Sequence, residues 1–211
     1  ILDLFLESNA ALVDDVCARG KPVDSAALRD VLLRLRNQSP PLWRQVHEAV
    51  GYLLGLFDAR RGDHDRAEAE FLRYLQDPLH ANLRERVLLA DLDCAERLGR
   101  SPAVIACRAN RYLVRYGGGP DALHVRMRLI DAYQRMGLYA AAVREAESGV
   151  LSELLTPSPQ TDDSASAPAR RMCLAQVALA YSRLGIPGRA NPLFRACLQP
   201  ATGTEFAADM F

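Results

Sequence analysis

Four arginines stand at the same place in a recurring pattern. Arg60, Arg97, Arg135 and Arg183 each lie two residues before a glycine: Gly62, Gly99, Gly137 and Gly185. A guanidinium presents a planar fork of donors that matches a carboxylate, so such a row can grip acidic groups on a bound chain. The same position has a plainer use, because a cation near a helix C-terminus faces the negative end of the helix dipole. Asp93 and Asp131 lie four residues before Arg97 and Arg135, a spacing that allows ion pairs within one helix. Other chemistry finds no foothold. The chain has no Gly-rich phosphate loop, no G-x-S-x-G and no H-E-x-x-H. Its four histidines, His47, His64, His80 and His124, are scattered and are expected to be exposed, and no catalytic residue, cofactor or metal is expected. The five cysteines, Cys17, Cys94, Cys107, Cys173 and Cys197, form no CxxC pair and read as free, buried thiols. Cys94/Cys107 and Cys173/Cys197 flank turns at matched heights, which leaves a bridge in either pair as an alternative. Free thiols favour a cytoplasmic setting, with the periplasm as the alternative.

The 211 residues carry 26 basic and 26 acidic side chains, for a formal net charge of zero. A dedicated nucleic-acid binder normally has a basic excess, so no nucleic-acid partner is expected. Apolar residues make up 49%, enough for a continuous core. No apolar run reaches the roughly 18 residues of a membrane span, so no membrane insertion is expected. Lys21 is the sole lysine, and the Arg/Ala/Leu bias points to a GC-rich bacterial genome. Beginning at Ile1 without Met, the sequence reads as a fragment or a processed product.

The elements that must hold these residues are helical throughout. In 26–36, Leu28, Val31, Leu32 and Leu35 fall at i, i+3, i+4 and i+7. Further helices are expected over 42–62, 65–75 with Asp65 as cap, 83–99, 102–119, 121–137, 140–155, 170–185 and 188–198. Ser101-Pro102 opens one of them as an N-cap and a first-turn proline. The three glycines 117–119 close it with an expected left-handed cap. Residues 156–169 are rich in Pro, Ser and Asp and read as a solvated loop; 201–211 read as a loose tail.

The turn glycines, counted from Gly20, are spaced 42, 37, 38 and 48 residues apart, and removing the 14-residue loop brings the last to 34. Periods of this size mark stacked helical hairpins. Around the glycines, Gly55, Ala67, Ala142, Ala178 and Ala190 supply small residues where two helices must approach closely. Phe71, Tyr133, Tyr181 and Phe194 are expected to fill the space between hairpins. On these residues the chain resembles the tetratricopeptide repeat family, whose loose signature is Leu-Gly, Tyr, Gly, Ala, Phe, Ala, Pro. Residues 41–78, 121–151 and 170–200 carry the resemblance best, 83–116 less, 1–40 least. Asp58 and Asp91 depart from it, falling where an apolar core residue belongs.

The resemblance implies an all-α, right-handed α-solenoid of about five stacked antiparallel helix hairpins: an N-terminal one in 1–40, repeats over 41–155, the loop 156–169 and a last hairpin in 170–200. It further implies that the first helix of each hairpin lines a concave groove. The residues this places there are Tyr52, Leu56 and Arg60; Arg86, Asp93 and Arg97; Met127, Asp131 and Arg135; and Arg183. Tyr52, Leu56 and Met127, with Leu89, Met172 and Leu179, would make an apolar stripe for a partner peptide or helix. The family's carboxylate clamp is not matched: Leu53, Ala90, Arg128 and Gln176 stand at its Asn position. The expected function is a non-catalytic interaction module of scaffold or chaperone type, binding another protein or peptide, within a bacterial secretion or envelope assembly. The alternative is a sensory domain of a bacterial regulator that binds a ligand or peptide. No residue pattern speaks to the oligomeric state.

Overall fold

The computed structural model describes residues 2–18, 22–38, 44–76, 81–155 and 167–198. All of the regular structure among them is helical, and no strand occurs. The chain divides into two units, residues 1–100 and 101–211.

In the first unit α1 (Leu2–Ala18) and α2 (Pro22–Gln38) both pack on α3 (Arg44–Arg60), and only lightly on each other. Then α4 (His64–Gln76) packs on α3, and α5 (Ala81–Arg97) packs on α4 with a smaller contact to α3. The core runs through Val13, Leu32, Leu53, Phe57, Phe71, Leu83 and Val87. Two glycines set how closely α3 and α4 approach. A Cβ on Gly55 would sit 2.4 Å from Cε1 of the buried Phe71 ring, and one on Gly51 would sit 1.9 Å from Cζ of Tyr74. The hydroxyl of Tyr74 donates to the His47 carbonyl at 3.1 Å, which fixes the ring over Gly51.

Charge also fastens the N-terminal helices. Arg29 Nε on α2 donates to the buried Asp58 on α3 at 3.2 Å, and Arg36 on α2 reaches Glu70 on α4 at 2.9 Å. Asp58 therefore occupies its core-like position because α2 supplies the cation that a buried carboxylate requires. Asp91 is buried as well. Arg100 closes the unit onto α4, bonding Glu68 at 2.5 Å and Asp65 at 3.3 Å.

In the second unit α6 (Pro102–Tyr116) packs on α7 (Ala122–Arg135), and α7 packs on α8 (Tyr139–Glu145). A π-helical turn, Ala146–Val150, continues α8 into α9 (Leu151–Leu155). Next α10 (Ala167–Arg183) lies against both α7 and α8, and α11 (Pro187–Leu198) folds back on α10. Ile130, Ala142, Ala146, Val177, Tyr181 and Leu193 are among the core residues.

All four turn glycines expected to end a helix take positive φ: 81° at Gly62, 63° at Gly99, and 73° at Gly137 and Gly185. That region is sterically closed to most L-residues, so glycine is required there. The small residues Gly55, Ala67, Ala142, Ala178 and Ala190 are all buried.

Several local expectations are corrected. The triglycine end of α6 is not left-handed: Gly117 has φ −64°. Ser101 precedes Pro102 at the start of α6 but makes no side-chain cap bond. Because α4 begins at His64, Asp65 sits inside the first turn rather than capping it. There α2 starts at Pro22, and it packs by one narrow edge, leaving Val31 and Leu35 exposed while Leu32 is buried. Phe194 is exposed and Tyr133 half-buried, whereas Phe71 and Tyr181 fill the core. Helix α10 begins at Ala167, inside the expected loop; residues 156–166, the tail 201–211, Gly20, His80 and Trp43 lie outside the described residues. All five cysteines are free; Cys94 and Cys173 are buried, Cys17 and Cys197 half-buried, and Cys107 is exposed. Of the histidines, His124 is exposed, while His47 and His64 are half-buried.

Candidate functional site

In the first unit the residues expected to line a groove lie on α3 and α5, and α1 packs on α3. Tyr52 is buried with its ring 6.2 Å from that of Phe71. Burial raises its phenol pKa; the charges of Arg86 and Arg60 oppose the shift, and those of Asp14 and Asp93 add to it. Asp14, Arg60, Arg86 and Asp93 are thus within electrostatic reach of the Tyr52 hydroxyl. Leu56 is half-buried against the core. Arg60 reaches across to α1, where its Nε donates to Asp14 at 2.6 Å. Arg86 is half-buried, Asp93 is exposed, and both make contacts of their own. Arg97 is exposed in the last turn of α5.

In the second unit the corresponding residues lie on α7 and α10, which run side by side. Gln176 on α10 joins them: its Nε2 donates to Asp131 at 2.7 Å, and its carbonyl accepts from the Gln134 side chain. Asp131 also pairs with Arg135 at 3.8 Å, the i, i+4 contact that the spacing allows. Met127 is half-buried against the core. On α10, Met172 (63% exposed), Leu179 (42%) and Arg183 lie outside the core. Met172, Gln176, Leu179 and Arg183 follow at steps of four, three and four residues, so they share one helical face.

Two ionic clusters escaped the sequence reading. Tyr181 and Arg189 both bond Glu147 Oε1 at 2.7 Å, tying α10 and α11 to the π-helical turn. Arg126 on α7 pairs with Glu145 and donates to Ser148 at 3.3 Å. Residues two apart on a helix point to nearly opposite sides, so Glu145 serves α7 while Glu147 serves α10 and α11. Gly149 inside this helix was the only local hint of the irregular turn. A cavity of about 270 Å³ adjoins it, lined by Gly117, Gly118, Gly119, Arg126 and Ser148 among others.

Among the described residues no group of three or more His, Cys, Asp or Glu could hold a metal ion, and no helix is long and apolar enough to cross a membrane. Comparison with protein-family models, with curated proteins and with solved structures finds no match for this chain.

Proposed function

We propose that the chain is a non-catalytic protein–protein interaction module, a degenerate tetratricopeptide-like array of helical hairpins. Its second unit binds a peptide or helix of a partner protein along the α7–α10 face. One observation carries this reading: α8 packs against both α7 and α10, so the first helices of two hairpins lie adjacent and Met172, Leu179 and Arg183 stay uncovered by the unit. The four equivalent positive-φ glycines support a repeated hairpin, and a right-handed solenoid is the arrangement such repeats favour. A scaffold or chaperone role in a bacterial assembly follows from the same reading.

A sensory ligand-binding role is the second reading, favoured by the cavity beside Gly117–Gly119. The two are separated by placing a photo-crosslinking residue at position 172 or 179, with the still more exposed position 114 on α6 as control. The module reading expects one discrete protein adduct from 172 and 179 and none from 114. Absence of adducts, or identical adducts from all three positions, would overturn it.

A further inference from the structure

The chain as a whole is neutral, but its charge is unevenly distributed. The α10–α11 hairpin, Ala167–Leu198, contains Arg170, Arg171, Arg183, Arg189 and Arg195 and not one Asp or Glu. Glu147 takes up Arg189, and Arg170 makes contacts of its own. Arg171, Arg183 and Arg195 are exposed and have no ion-pair partner among the described residues. Arg183 ends the exposed line on α10, while Arg171, next to Met172, lies about 100° round the helix from it, where the Cys197 thiol of α11 donates to its carbonyl at 3.5 Å, so that its long side chain stands beside the line's other end. They are twelve residues apart, about 18 Å at 1.5 Å per residue. Between them Met172 and Leu179 stand one heptad apart, about 10.5 Å. Asp131, the carboxylate nearest this line on α7, is already engaged by Gln176 and Arg135.

Resting on the reading of this unit as an interaction module, we infer that its partner is an acidic, amphipathic helical segment of another protein. That segment carries two apolar residues about seven positions apart, which cover Met172 and Leu179, with carboxylates at both ends to meet Arg171 and Arg183. A second copy of this chain is disfavoured, because a two-fold contact would set one acid-free hairpin against another. A nucleic acid would answer the arginines but leave the two apolar side chains without an apolar partner.

The test uses the full chain and a labelled 16-residue helical peptide, with Leu at two positions seven apart, Glu near both ends and Ala or Gln elsewhere. Its control replaces each Glu with Lys. In fluorescence anisotropy the acidic peptide is expected to bind at least tenfold tighter than the basic one. Arg171→Glu/Arg183→Glu should weaken it tenfold or more, as should Leu179→Asp, while Arg115→Glu on α6 leaves it unchanged; circular dichroism confirms that each variant is folded. Equal binding of the two peptides, or tighter binding to a single-stranded oligonucleotide or to phosphatidylserine vesicles than to the acidic peptide, would overturn the inference. Crosslinked adducts at 172 and 179 without acidic preference would sink this partner chemistry and spare the module reading; loss of both would sink the two together.

Discussion

Gly55→Ala isolates the contact that sets the α3–α4 spacing. On propensity alone the substitution should help, since Gly to Ala inside a helix favours folding by about 1 kcal/mol. Geometry opposes it. The new Cβ would lie 2.4 Å from Cε1 and 2.9 Å from both Cδ1 and Cζ of Phe71. Ordinary contact between carbons begins near 3.5 Å, so the ring or the helix must retreat by roughly 1 Å. Phe71 is fully buried at 0% exposure and packs against the Tyr52 ring, so it has no open space to retreat into. Overpacking of this kind costs about 1–3 kcal/mol and here belongs at the upper end. After the propensity gain, a net loss of about 1–2 kcal/mol is expected. Urea denaturation followed by circular dichroism reads the total, and hydrogen exchange with mass spectrometry reads the place: protection should fall first in α3 and α4, with α10 and α11 unaffected. Phe71→Leu combined with Gly55→Ala should recover part of the loss relative to the sum of the single changes. If Gly55→Ala were as stable as the parent chain or more so, the close approach of α3 and α4 would be refuted.

Two further outcomes follow from burial. Desolvation pushes the Tyr74 phenol up to about 12, so the folded chain holds that proton more tightly than the unfolded one, whose tyrosine titrates near 10. The contribution is complete below pH 10 and is lost as pH rises from 10 to 12. Tyr74→Phe should therefore show a shallower fall in urea midpoint across that window than the parent chain. Burial likewise pushes the Cys173 thiol up to about 12, with a smaller push from Cys197. At pH 8 iodoacetamide should label exposed Cys107 first and Cys173 only after denaturation, read by peptide mass spectrometry.

What the sequence made legible is what physics writes locally. A left-handed helix end requires glycine, so Gly62, Gly99, Gly137 and Gly185 declared their turns. Close approach requires a small residue, so Gly55, Ala67, Ala142, Ala178 and Ala190 declared the inner faces. Burial of a side chain is written less clearly, because it depends on a neighbour. Val31 and Leu35 keep helical spacing, yet α2 meets α3 by one edge and leaves them out. Phe194 has no later helix among the described residues to cover it. Pairing between distant helices leaves no local trace at all. Arg29 finds Asp58 across 29 residues and Arg126 finds Glu145 across 19, with no fixed interval to search for. The apparent misfit at Asp58 was such a trace in retrospect, since an acid in a core position implies a cation from elsewhere.

The recurring arginines are best separated by what their neighbours leave them. A shared place two residues before a turn glycine gives all four the same reason to exist, the favourable end of a helix dipole, but not the same occupation. Arg60 is drawn across to Asp14 on α1, and Arg135 is held by its own Asp131. Arg183 stands in an acid-free hairpin, where no carboxylate of α10 or α11 can take it up. Two alanine substitutions should therefore divide cleanly. Arg60→Ala removes an exposed pair with about half of each side chain in water, so it should cost no more than about 0.2–1 kcal/mol and loosen α1 in hydrogen exchange, with acidic-peptide binding unchanged. Arg183→Ala should leave stability within about 0.5 kcal/mol, as expected for a surface residue without an ion-pair partner among the described residues, and should weaken the acidic peptide. Should Arg183→Ala destabilise the fold and leave binding intact, its charge would have a structural occupation, and the distinction drawn from its acid-free hairpin would fail.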